Sequence, residues 1–166
     1  MLLRNKKRAK AGFTLPEIVV ATALVAIFFS SIFEINAICL RYISASKENV
    51  GAIEAVNDRL ERLRNAAFTS LTSVSAMKSL LATAANSSPL AQRAVETVTV
   101  SDYPSGVPTI TYTRSASRTV TSVPSTADFS NATLVQVDVT NQSPATFANR
   151  TTTAQTSTVI SAGTKK

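Results

Sequence analysis

Apolar residues run almost unbroken from Ile18 to Phe33, thin to every third or fourth position between Val50 and Leu71, and alternate with threonine and serine beyond Pro89. Each regime predicts a different element. The stretch Phe13 to Phe33 is about 21 residues, against the roughly 20 that a helix needs to cross a bilayer. Neither glycine nor proline interrupts the chain between Glu17 and Val50, so one helix can run through a membrane and out of it. Val50, Ile53, Val56, Leu60, Leu63, Ala67 and Leu71 then fall on one helical face. Gly51 weakens that helix without stopping it. A helix from Thr14 to about Leu71 would measure about 85 Å, and its exported part must bury the apolar stripe on the rest of the chain.

Ser73 to Asn86 predicts a second, short helix marked by Met77, Leu80 and Leu81, stopped by Asn86-Ser87-Ser88-Pro89. Strands follow. Val95 to Ser101 sets Val95, Thr97 and Thr99 on one face and Glu96, Val98 and Val100 on the other. Pro104-Ser105-Gly106 turns the chain into Thr109 to Arg114, and Arg118 to Val123 is a third strand closed by Pro124. Leu134 to Val139 has the clearest strand pattern, with Val135, Val137 and Val139 together, and Thr156 to Ile160 supplies the last. The order of elements predicts an α+β fold, a long N-terminal helix packed on a C-terminal antiparallel sheet. At 166 residues the chain has room for one domain after the anchor. The expected division is a leader over 1–12, a membrane helix over 13–36 and an exported domain over 37–166.

Charge changes this picture at the N-terminus. Arg4, Lys6, Lys7, Arg8 and Lys10 precede the apolar run and resist translocation, so the N-terminus should stay cytoplasmic and the rest be exported. Seventeen Lys and Arg against ten Asp and Glu give +7, but without Met1 to Gly12 twelve face ten, a net +2. The high pI therefore belongs to the leader, and nucleic acid is not an expected partner of the remainder.

Glu17 is the anomaly. A carboxylate costs on the order of 2.5–3.5 kcal/mol at the centre of a span and less near its interface. The next helical turn offers no basic residue, so an ionic partner must come from outside this helix. A break between Gly12 and Phe13 would create one, because a free α-amino group has a pKa of about 8 and is cationic at neutral pH. A purely local reading stands beside this: Thr14-x-x-Glu17 is a capping box, with Thr14 accepting from a first-turn N–H and Glu17 reaching back. Pro16 fits the same first turn, where a missing N–H costs little.

Gly12-Phe13-Thr14-Leu15-Pro16-Glu17, after basic residues and before an apolar helix, resembles the class III signal of type IV pilins and the pseudopilins of type II secretion. The resemblance covers about the first 35 residues. It implies cleavage after Gly12 by a prepilin peptidase, N-methylation of the new Phe13 terminus, and use of Glu17 in filament assembly. It also implies the partners: other pilin or pseudopilin subunits through the N-terminal helix, an inner-membrane assembly platform, and the bilayer. Two departures from the commonest pattern stand out, and the second, with the missing disulfide, leans toward a minor pilin or pseudopilin. Pro16 stands where an aliphatic residue is more usual, and Glu34 stands where major pilins often have a helix-kinking proline. Arg59-Leu60-Glu61-Arg62-Leu63-Arg64 is loosely similar to the segment where a minor pilin's helix meets its sheet.

Catalysis is not expected. The chain has no histidine, which removes His-based triads, His-ligated zinc and imidazole acid–base chemistry together. Its abundant Ser and Thr lack an evident base, Asp102, Asp128 and Asp138 are too dispersed to suggest calcium, and no cofactor or metal is called for. Cys39 is the single cysteine, so no intramolecular disulfide can form, and a small buried apolar role is expected for it. The cluster Arg59 to Arg64 reads as a solvated face with Asp58 and Arg62 as an i,i+4 pair. An ordinary secretory signal cut near Ser30-Ser31 or Asn36-Ala37 is the competing reading of the N-terminus. A membrane-anchored binding module for DNA uptake, adhesion or a secreted substrate is the alternative for the exported part.

Overall fold

The computed structural model describes residues 12–144 and 150–163. Helix α1 (Leu15–Asn65) is followed by three short helices, α2 (Phe68–Thr72), α3 (Val74–Leu81) and α4 (Pro89–Arg93). Five strands complete the chain: β1 (Val95–Asp102), β2 (Thr109–Arg114), β3 (Val120–Val123), β4 (Leu134–Pro144) and β5 (Thr151–Ser161). Two compact units divide at Tyr42 and Ile43.

The first unit, as far as it is described, is the opening of α1. Its apolar side chains from Phe13 to Tyr42 are exposed within the chain. Nothing in the packing of the described residues explains that surface, whereas lipid or other helices would. The helix is long and apolar enough to cross a membrane, which supports membrane anchoring. Its hydroxyls are quenched locally: Thr22 donates to the carbonyl of Val19 at 2.9 Å, Ser30 to that of Ala26 at 2.9 Å, and Ser31 to that of Ile27 at 3.0 Å. Such back-bonding lets polar groups sit in an apolar surrounding.

In the second unit the remainder of α1 lies on one face of a five-stranded antiparallel sheet of order β3-β2-β1-β4-β5. The fold is the α+β, pilin-like one that the patterning predicts. Val56, Leu60 and Leu63 of α1, with Leu71, Met77 and Leu81, pack against Val98, Val100, Ile110, Tyr112, Val135, Val137 and Val139 of the sheet. The strand alternation places Val135, Val137 and Val139 together on the buried face.

The structure differs from expectation in places. The first helix ends at Asn65, short of Leu71, although neither glycine nor proline stops it. The backbone breaks at Ala67, extended at φ −65 and ψ 142, and α2 then turns Leu71 into the core; packing decides this end. Val50, Ile53 and Ala67 of the expected stripe are exposed. The segment thought to stop the second helix also starts another. Ser88 caps α4 by accepting from the Ala91 N–H at 3.2 Å, with Pro89 in the first turn. Strand β3 begins at Val120 because Arg118 adopts φ 69 in a turn closed by Ser115. Strands β4 and β5 both extend further than their apolar residues suggest, in unbroken register from Leu134↔Ser161 to Pro144↔Thr151.

Candidate processing and assembly site

Gly12, Phe13 and Thr14 precede the first turn of α1, and all three are exposed. Glu17 folds back on Thr14. Its Oε2 accepts from the Thr14 backbone N–H at 3.0 Å and from the Thr14 hydroxyl at 2.9 Å. Half of the expected capping box is therefore present, and the other half is inverted, since the Thr14 hydroxyl donates to the carboxylate instead of accepting from the backbone. Both bonds fall on one oxygen. Oε1 takes part in neither, so a cation approaching from another molecule has a carboxylate oxygen to meet.

This places three features at one helix end: an exposed Gly12–Phe13 bond, a carboxylate held one turn further on, and an unpartnered apolar helix. The leader itself lies outside the described residues. Residues 7–33 match the family model described as the prokaryotic N-terminal methylation motif. That motif is the signature of type IV pilins and pseudopilins, and it implies processing by a prepilin peptidase and assembly with other pilin subunits. The match ends at Phe33, so it is silent on the sheet. No curated protein and no solved structure matches the chain.

Several side chains sit elsewhere than expected. Cys39 is exposed on α1, not buried within the chain. Asp58 and Arg62 do not pair: Asp58 accepts from the Asn86 side-chain amide at 2.7 Å, and Arg62 donates to the Ala84 carbonyl at 3.4 Å. The largest correction is Arg59, which is fully buried while Glu61, Arg62 and Arg64 remain outside.

Arg59 belongs to a buried ionic node that the sequence reading missed. Its Nε and Nη2 grip both oxygens of Glu96. The Leu80 and Thr83 carbonyls accept from the same guanidinium at 3.1 and 2.6 Å. From the next strand Arg114 donates through Nε to Glu96 at 3.2 Å and through Nη2 to the Ala91 carbonyl at 2.8 Å. Glu96 and Arg114 are register partners in β1 and β2. One carboxylate thus ties α1, the segment after α3, α4 and two strands. The signal was present in sequence, since Arg59 lies three residues after Val56 and four before Leu63, and Glu96 shares its face with Val98 and Val100.

Proposed function

We propose that the chain is a non-enzymatic filament subunit, a prepilin or pseudopilin that is clipped after Gly12, methylated on Phe13 and assembled through α1. The observation that carries this reading is Glu17 at the head of an apolar helix that no other described residue covers, inside a matched methylation motif. The subunit sits first in the cytoplasmic membrane as a single span, N-terminus inside and sheet outside, because the basic leader resists crossing. Hydrolysis of the Gly12–Phe13 bond releases the leader's new carboxylate and frees the Phe13 amine. Glu17 of one subunit then meets the Phe13 amine of its neighbour. Apolar helix packing supplies most of the cohesion, and the ion pair sets register more than stability, since a buried pair barely offsets its desolvation.

The first test is the intact mass and N-terminal sequence of the protein from its native membrane. A chain beginning at Phe13 with one added methyl group is expected. A chain still carrying the leader would make it an ordinary signal anchor, and one beginning beyond Ala37 a soluble exported domain. Glu17→Ala should leave processing intact and block incorporation, and normal filaments containing that variant would overturn the assembly mechanism. The type IV pilus, type II secretion and competence systems share this signal, so neighbouring genes decide which machine is served.

A further inference from the structure

The exposed edge of β5 has the chemistry of a docking strand. Strand β5 ends the sheet order, so among the described residues no strand lies beside one of its sides. The side can be read residue by residue. Ala162 N–H donates to the Thr133 carbonyl at 2.7 Å, continuing the β4–β5 register. In an antiparallel ladder bonded positions alternate, so Thr152, Ala154, Thr156, Thr158 and Ile160 bond to β4. Thr151, Thr153, Gln155, Ser157, Val159 and Ser161 therefore aim their backbone N–H and C=O outward.

Natural edges are protected by lysines, prolines, bulges or shortness. Strand β5 has none of these: it is 11 residues long, carries no charge and no proline, and keeps unbroken register. The opposite edge, β3, is four residues long and is followed by Pro124. Beside β5 lies a groove of about 460 Å³ between the strand, at Thr152 to Thr156, and α1, at Asn49, Ile53, Val56 and Asn57. Its lining is also uncharged, and Ile53 remains 54 % exposed there. A strand added to β5 would extend the sheet beneath Ile53 and cover it.

We propose that β5 takes an extended, uncharged segment of another protein as a sixth strand, with branched apolar side chains at the alternate positions facing Ile53. Backbone bonds to the six outward residues would hold it, and the neutral groove would reject a charged strand. A second copy would pair β5 with β5 about a two-fold axis normal to the sheet, or offer a β3 edge of four residues against the eleven of β5; protection that grows with protein concentration is the outcome that would reveal it.

The test uses the full-length protein in lipid nanodiscs and an alternating Thr/Val peptide with a polyethylene-glycol tail. Hydrogen exchange at the Gln155, Ser157 and Val159 amides should slow about tenfold or more with the peptide. The same peptide N-methylated at alternate residues should have no effect. Gln155→Pro removes an outward N–H and no β4 bond, so it should abolish the protection at unchanged Tm. If that variant does not fold, Gln155→Lys with Ser157→Lys should do the same by charging the edge. Absent protection, equal protection by the methylated peptide, or protection that appears without peptide and grows with protein concentration would each overturn the proposal. A chain unprocessed at Phe13 that still protects β5 would sink the filament reading and leave the edge standing.

Discussion

The α1 surface up to Tyr42 and the unit that follows it solve opposite problems. The first leaves every apolar side chain exposed, from Phe13 at 84 % to Tyr42 at 73 %, and bonds the hydroxyls of Thr22, Ser30 and Ser31 to its own carbonyls. The second closes around Leu63, Leu71, Met77 and Val98, all fully buried, and even takes charges inside. A helical surface that buries nothing among the described residues needs other molecules, while the second unit carries its own core. Mutations should therefore separate cleanly into those that change assembly and those that change folding.

The sharpest separation is expected at Glu96. Glu96→Ala leaves Arg59 and Arg114 buried without a counter-charge, so the second unit should lose about 3–5 kcal/mol, read by thermal or urea unfolding. Processing at Phe13 should be unchanged. Replacing Arg59, Glu96 and Arg114 together by apolar residues of similar volume should recover much of that loss; failure to recover would show that the node does more than neutralise itself. Next in size, Leu63→Ala should cost about 2–5 kcal/mol, whereas Leu24→Ala, the same change on the exposed surface, should leave unfolding of the second unit untouched. If Leu24→Ala melts the sheet, the division of labour is wrong.

Much of this was legible in the sequence because the two units write in different codes. Around Glu17 the information lies in spacing: a glycine, an aromatic and a carboxylate at fixed offsets announce chemistry without any packing. In the sheet, Leu134 to Val139 reads as a strand because alternate valines must share a face. Thr151 to Gln155 did not read so, since its side chains are threonine, alanine and glutamine; pairing with β4 makes it a strand. Arg59 was hidden by its neighbours, for Arg-Leu-Glu-Arg-Leu-Arg looks solvated until the helical face is laid against Glu96.

Two smaller effects sharpen the comparison within the second unit. Ser88→Ala removes the cap of α4, whose Ala91 carbonyl receives Arg114, and should cost about 1 kcal/mol in the same unfolding measurement. Tyr112 is buried with no partner for its hydroxyl, so Tyr112→Phe should be neutral or stabilise by up to about 1 kcal/mol. Burial also pushes the Tyr112 phenol above its ordinary value. Its contribution is therefore intact below about pH 10 and is lost as pH rises through the raised value. A stability–pH titration should show an alkaline fall that Tyr112→Phe reduces.

The ionic clasp of Arg59, Glu96 and Arg114 has a consequence for the compartment in which the sheet folds. With Cys39 as the single cysteine of the sequence, no intramolecular disulfide can form within it, and the long-range tie between helix and sheet is made of buried charges. Reductants that loosen cystine-bonded domains should leave the unfolding of this unit unchanged.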